Sequence, residues 1–344
     1  MSSSTHAILV GCGAMSGEWL RAANELDVKI VALVDIDQRN AEKRREEFNL
    51  VAPIYSDFQE SFRHTSAEVV FDCTIPVIHK DVSGAALAAG FHVLEEKPLA
   101  LTVADASDLV DLARRSGRIH AVAQNRRFNR GIRQMRQMID AGVIGEVTTV
   151  HVDFFAGPHF GGFRESMPHV LLADMAIHPF DAARFLLRMD AESVFCDEWV
   201  PKNSWYRYGP SVAAVFRMVN GIRFTYRASW CADGFRTSWD GTWRIIGTEG
   251  TLIWDGYDEV KAEQLKFQEG AFLNETQLIL PTADPPESEI RGHFSVMKQF
   301  VEAVRGGLIP ETNSADNIRS LAMVMAAVES CETGRWTRVM TDSQ

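Results

Sequence analysis

No apolar run in the 344 residues approaches the roughly 18 that suggest a membrane span, so a membrane partner is not expected. Cysteine is sparse: Cys12, Cys73, Cys196, Cys231 and Cys331 are odd in number, scattered, and never spaced as C-x-x-C. That excludes a disulfide framework or a cysteine-based zinc site and fits reduced thiols in a cytoplasm. Positive charge is in the minority, with 35 Lys and Arg against 46 Asp and Glu, a formal net charge of −11. No basic stripe is interleaved with aromatics, so nucleic acid is not an expected partner. The stretch from Met1 to His6 is short, polar and free of Lys and Arg, unlike a secretory signal. Internal repeats and low-complexity segments are also missing.

What is present is the composition of an ordinary soluble protein, 46% apolar and 24% charged, in a chain long enough for two domains. Up to about residue 123, short β-branched runs alternate with helical patterns. Ala7–Val10, Ile30–Val34, Val69–Asp72, His92–Glu95 and Ile119–Ala123 read as buried strands, with helices near 17–26, 38–48, 78–89 and 103–116. Such alternation predicts a doubly wound parallel sheet with helices on both faces, binding its ligand at the strands' C-terminal ends. Beyond residue 124 the pattern changes. A helix over 129–142, a strand over 146–155, a glycine-bearing loop and a helix ending near Leu187 precede a β-rich stretch over 192–270. Its runs Val212–Phe216, Ile222–Trp230, Thr242–Ile246 and Thr251–Trp254 predict an antiparallel meander. Two helices, about 288–306 and 314–333, close the chain. The expected architecture is an α/β Rossmann-type domain over 1–124 and an α+β domain over 125–344. The second is built on a large, mostly antiparallel open sheet, and the closing helices are expected to pack back on the first.

Gly11-Cys12-Gly13-Ala14-Met15-Ser16-Gly17 follows a strand and opens a helix, the context a phosphate-binding turn requires. Gly11 permits the tight turn, Gly13 lets the backbone approach a pyrophosphate, and helix amides face the anion. Ser16 stands where the pattern wants a third glycine. The next strand ends at Asp35, about where an acid that binds a ribose belongs. A carboxylate there accepts hydrogen bonds from ribose hydroxyls and repels a 2′-phosphate, and Asp37 adds to it. NAD is the expected cofactor. Arg39 is the residue that would admit NADP.

Glu95-Glu96-Lys97-Pro98 lies where a strand leaves the sheet, and Pro98 narrows the freedom of the chain beside the lysine. A lone lysine there is most simply a solvated charge. Asp174 and His178 are four apart and share a face on a helical turn; the aspartate would make the histidine an oriented imidazole able to exchange protons near neutral pH. Pro179 suits the first turn of a helix, leaving Asp174 in the turn before it.

Taken in order, these motifs resemble the glucose–fructose oxidoreductase and inositol dehydrogenase family (Gfo/Idh/MocA) nearly end to end. The resemblance also runs through Thr74-Ile75-Pro76 with His79, Gln124-Asn125-Arg126-Arg127-Phe128, Ile144-Gly145-Glu146-Val147 and Asp181. It implies that Lys97, Asp174 and His178 line an active site. It further implies that Thr74, His79, Glu96 and Lys97 join Gly11, Cys12, Gly13, Ala14, Met15 and Asp35 around the cofactor. The implied reaction is hydride transfer between a secondary hydroxyl of a sugar, inositol or related ring and the nicotinamide. In it His178 takes the hydroxyl proton, Lys97 stabilises the developing charge, and Asp174 orients the histidine. A homodimer or homotetramer joined through the open sheet is implied as well. Departures are Ser16, Ala176 in place of a common glycine, and His169-Val170 in place of a usual glycine pair.

Arg126 and Arg127 either meet an acidic substrate or form an interdomain salt bridge, and Asp181 either meets a substrate hydroxyl or serves the helix surface. Most tryptophans fall in the β-rich half, where Trp205-Tyr206 or Trp230 would stack on a sugar or, more simply, fill the core. Asp174, His178 and Asp181 lack the Cys/His partners of a metal site; no metal is expected. Two other readings use the same residues: a glycoside-cleaving enzyme acting by transient oxidation and elimination, and a non-catalytic cofactor-bound sensor.

Overall fold

The computed structural model describes residues 4–266 and 272–341. Residues 1–3, at the start of the polar N-terminal stretch, and 267–270, at the end of the β-rich stretch, lie outside the described residues. The chain forms two compact units, one of Met1–Asn125, Arg291–Leu321 and Thr341–Gln344, the other of Arg126–Ile290 and Ala322–Met340.

In the first unit six strands form a parallel sheet: β1 (Thr5–Val10), β2 (Val28–Val34), β3 (Ile54–Tyr55), β4 (Val69–Asp72), β5 (His92–Glu95) and β6 (His120–Val122). Their order, β3-β2-β1-β4-β5-β6, reverses direction beside β1, which makes the β1/β4 edge the switch point where such sheets bind ligands. All four residues of β4 are buried, as expected of a strand covered on both faces. Helices α1 (Ser16–Glu25), α2 (Gln38–Glu47), α3 (Phe58–His64), α4 (His79–Ala88) and α5 (Val103–Ser116) connect the strands. β3 and α3 are additions to the pattern read from sequence, because two residues of strand and two turns of helix leave no periodicity to find. Side chains cap three helix starts: Asp37 accepts from Arg39 N–H, Asp57 from Gln59 N–H and Thr102 from Asp105 N–H. Trp19 of α1 packs edge-on against Phe71, ring centres 5.5 Å apart. A helix over His293–Val304 belongs to this unit. Gly292, with φ +52° and ψ −117°, separates it from a short 3-10 turn over Glu287–Glu289, so the single helix expected from 288 is broken.

The second unit holds α6 (Arg130–Asp140), α7 (Ile177–Leu187) and a nine-stranded sheet. Its strands are β7 (Val147–Phe155), β8 (Ala191–Trp199), β9 (Ser211–Met218), β10 (Arg223–Ser229), β11 (Thr242–Gly247), β12 (Gly250–Trp254), β13 (Val260–Lys266), β14 (Glu275–Ile279) and β15 (Thr337–Arg338). The order is β14-β13-β12-β11-β7-β10-β9-β8-β15. A simple antiparallel meander is therefore corrected. β7 inserts between β10 and β11 and runs parallel to β10, so the sheet is mixed, though mostly antiparallel. Alternation tells a strand which face to bury, not which strand to pair with. On the inner face Phe180 of α7 meets Phe216, Phe224 and Tyr226 edge-on at 4.7, 5.8 and 5.4 Å, a well-packed aromatic centre. No helix among the described residues is long and apolar enough to cross a membrane.

Candidate active site

The first unit builds its ligand edge from backbone. Gly11 has φ +88°, and a Cβ there would lie 2.5 Å from the Cys73 carbonyl oxygen, so only glycine makes this turn. A Cβ on Gly13 would meet nothing within 4 Å; that face is open to an incoming group. Cys12, by contrast, is buried, and burial followed by the charge of Asp35 pushes its thiol up to about 12. Only its backbone faces chemistry: Cys12 N–H donates to Asp35 Oδ2 at 2.9 Å, and Asp37 N–H donates to Oδ1 at 2.9 Å. Each carboxylate oxygen keeps acceptor capacity for a ribose hydroxyl. Ser16 is buried, donates to the Gly13 carbonyl at 2.7 Å and accepts from Arg44 Nε at 3.0 Å, so the missing third glycine is replaced by a hydroxyl that ties the turn together. Arg44 also donates to the Gly13 and Ala14 carbonyls at 2.7 and 3.2 Å; sequence reading missed it, because it acts from the next helix. Arg39 pairs with Asp37 through two hydrogen bonds of 2.8 and 2.7 Å, its charge already met by a carboxylate. Met15, Ile36, Ile75 and Val77 are exposed apolar side chains on the loops of this edge. Open glycine backbone, an acid with spare acceptors and bare apolar surface together fit a dinucleotide.

Glu96 follows β5 and is buried. Its Oε1 accepts from Trp19 Nε1 at 2.8 Å, and His293 Nε2 lies 3.5 Å away. Burial raises its carboxyl, but His293, the Trp19 N–H and Lys97 outweigh burial and hold it below the ordinary glutamate range. Glu96 is thus a buried anchor beneath Lys97. Neither partner is near it in sequence, and no local signal would have found them. Thr74 follows β4, its N–H and hydroxyl directed at Asp72 Oδ1. His79 was expected beside the cofactor. Its ring is fully buried, with Nδ1 2.8 Å from the Pro98 carbonyl and Nε2 3.2 Å from the Thr74 carbonyl. Both nitrogens thus lie within hydrogen-bond distance of backbone carbonyls.

In the second unit Asp174 lies in a π-helical turn over Leu171–Ala176 that runs directly into α7, where His178 is the second residue and Pro179 the third. Proline lacks the N–H that a continuous helix would bond one turn back, and the widened turn lies just before it. Widened turns of this kind recur at functional sites. His178 is buried, and Asp174 Oδ2 accepts from Arg164 Nε at 2.7 Å. Arg164 also stands over the Phe160 and Phe163 rings and is a site neighbour the sequence did not announce. Arg127 and Asp181, expected at the substrate, form a buried two-pronged ion pair, Nε to Oδ2 at 2.6 Å and Nη2 to Oδ1 at 2.7 Å. Arg126 donates to Asp240 and to the Trp239 carbonyl, within its own unit. His169 stands at φ +49° where a glycine is usual, with Nδ1 3.1 Å from Glu198. That hydrogen bond outweighs burial and raises its pKa. Trp230 is buried in the core and Trp205 stacks on His159 at 3.7 Å, so neither offers an open sugar platform.

Comparison with known proteins adds the following. Residues 5–124 match the family described as "Oxidoreductase family, NAD-binding Rossmann fold", and residues 132–253 match the "GFO/IDH/MocA C-terminal domain". The 1,5-anhydro-D-fructose reductase of Ensifer adhaerens is 26% identical over 344 residues, covering 97% of this chain and 98% of that protein. The inositol 2-dehydrogenase of Salmonella typhimurium is 30% identical over 191 residues, 54% of this chain and 55% of that protein. A solved oxidoreductase from Agrobacterium radiobacter, in complex with NAD+, L-tartaric acid and magnesium, superposes with a TM-score of 0.84. It is 21% identical and covers 98% of this chain and 99% of that one, a likeness of fold.

Proposed function

Since this chain belongs to the GFO/IDH/MocA oxidoreductase family, we propose that it is an NAD-dependent dehydrogenase acting on a secondary hydroxyl of a sugar, an inositol or a related polyol. The observation that carries this reading is the match of the chain to both domains of the family, and the motifs holding Lys97, Asp174 and His178, which resemble that family, support it. The names of the relatives, an anhydrosugar reductase and an inositol dehydrogenase, support a polyhydroxylated ring as the substrate class and a reaction that is reversible in principle.

NAD, when bound, supplies the nicotinamide carbon that accepts the hydride. Asp35 receives the ribose hydroxyls, and the amides of the Gly11–Met15 turn meet the pyrophosphate. His178 takes the hydroxyl proton as the carbinol is oxidised, and Lys97, as an ammonium, donates a hydrogen bond to the oxygen as its negative charge develops. Asp174 orients His178 from the preceding turn. The negative charge at Asp35, together with the pairing of Arg39 to Asp37, favours NAD over NADP. A homodimer or homotetramer formed through the outer face of the nine-stranded sheet is part of the reading, as is a cytoplasmic location, which suits five free thiols. Light scattering on the purified chain checks the assembly.

The decisive experiment is a panel of inositols, hexoses, uronates and anhydrosugars, followed by the absorbance of reduced nicotinamide with NAD and NADP in parallel. At least one ring alcohol should yield NADH in stoichiometric amount with a ketone. Cleaved sugar without net NADH, or no turnover across the panel, would overturn the proposal.

A further inference from the structure

We propose that His79 is a positioning residue, a buried clamp whose ring holds the Thr74 and Pro98 carbonyls at once and so fixes the loops that carry Thr74 and Lys97. The inference rests on the role given to Lys97 above.

Thr74 follows β4 and Pro98 follows β5, neighbouring strands of the parallel sheet. One imidazole at the first residue of α4 spans the two strand ends, Nδ1 2.8 Å from one carbonyl and Nε2 3.2 Å from the other. Backbone carbonyls only accept. A neutral imidazole has a single N–H, so a ring bonded to both must be the imidazolium. A bare cation at 0% exposure is costly unless offset by opposite charge, and the surroundings supply negative charge. Asp72 and Glu95, also at 0% exposure, end β4 and β5, and Ser83 Oγ lies 3.0 Å from Asp72 Oδ2 and 2.7 Å from Glu95 Oε2. Ser83 is four residues beyond His79, on the same face of α4.

The one proton of the Ser83 hydroxyl is shared between the facing oxygens of the two acids, and the two acids place negative charge around the ring. Burial lowers the pKa of His79, but the charges of Asp72 and Glu95 and the two carbonyls outweigh it and hold it above the ordinary histidine range. Burial likewise pushes Asp72 up to about 6, against the opposing charge of His79. His120 of β6 completes the surroundings, its Nε2 3.3 Å from Glu95 Oε2.

Two substitutions separate the arms of the clamp. His79→Asn keeps a donor near the Nδ1 position, facing Pro98; His79→Gln keeps one near Nε2, facing Thr74. His79→Asn should weaken NADH binding, read by fluorescence, more than it lowers kcat. His79→Gln should lower kcat more than it weakens NADH binding. Each main loss should be roughly tenfold, the weight of one hydrogen bond to a charged group. Equal losses in both variants, or lower thermal stability with kcat and affinity unmoved, would overturn the clamp. If neither variant folds, ring-nitrogen NMR of the parent protein with labelled histidine decides. Two protonated nitrogens on His79 at pH 7 are expected, and one bare nitrogen refutes the proposal. Neither NMR nor NADH binding requires turnover. A chain that oxidises no ring alcohol thus defeats the proposed reaction, whereas a singly protonated ring defeats the clamp.

Discussion

In the first unit the groups proposed to meet a ligand are mostly backbone, presented where strands end: the Gly11 turn, the Cys12 amide held by Asp35, and the loops after β4 and β5 that meet at His79. In the second unit the groups of interest are side chains on one helical stretch, Asp174 in a π-turn and His178 at the start of α7. The first unit seals its charges beneath the loops, in the Asp72–Ser83–Glu95 cluster and at Glu96. The second commits charge in direct pairs, Arg127 with Asp181 and Arg164 with Asp174. Backbone recognises what every dinucleotide has in common, whereas side chains are free to be fitted to one reaction. The contrast implies that substitutions in the Gly11 turn and at Asp35 change which cofactor is held and how firmly, while substitutions at His178 change whether chemistry occurs.

The largest effect should come from His178→Ala. Loss of a general base lowers kcat by roughly 10²–10⁴-fold. NADH affinity should stay within a few-fold, since the dinucleotide groups lie in the first unit. A variant that binds NADH as poorly as it turns over would break the division of labour, and one with the parent's kcat would remove His178 from the reaction. Next is Asp181→Asn. It leaves Arg127 buried without its carboxylate, and breaking a buried pair costs about 3–5 kcal/mol. A urea midpoint unchanged from the parent would show that the pair is dispensable. A kcat loss much larger than the stability loss explains would return Asp181 to the substrate.

These two residues also show where sequence reading succeeds and stops. The parallel sheet, the glycine turn and Asp35 were legible because each depends on neighbours within one strand–turn–helix unit. The placing of Asp174 in the turn before the helix that holds His178 and Pro179 was legible for the same reason. Partners that act across the chain were not. Arg127 and Asp181 are 54 residues apart and Trp19 and Glu96 are 77 apart, and no periodicity encodes such meetings. The insertion of β7 between β10 and β11 was hidden for the same reason: each strand's alternation is satisfied by any partner that buries the same face. For His79 the position at a helix start was legible and the burial was not.

Asp35→Asn sharpens the comparison at intermediate size. The amide preserves shape near Cys12 N–H and Asp37 N–H but removes the charge that opposes a 2′-phosphate. The ratio of kcat/KM for NAD to that for NADP should fall by about ten- to a hundredfold, a like-charge cost of a few kcal/mol. KM for the sugar should remain unchanged. An unaltered cofactor ratio would mean that Asp35 only supports the turn.

The smallest effect tests whether the two units also begin their helices differently. Thr102 caps α5 by accepting from Asp105 N–H and also donates to Asp105 Oδ2 at 2.8 Å. Asn129, at the start of α6, makes no side-chain capping bond among the described residues. Thr102→Ala removes an acceptor from an orphan amide and should cost about 1 kcal/mol. Asn129→Ala leaves the α6 amides as they were and should shift the urea midpoint by clearly less. Equal shifts would mean that Asn129 caps α6 in solution after all, whereas no shift in either would leave the first turn of α5 held by packing alone.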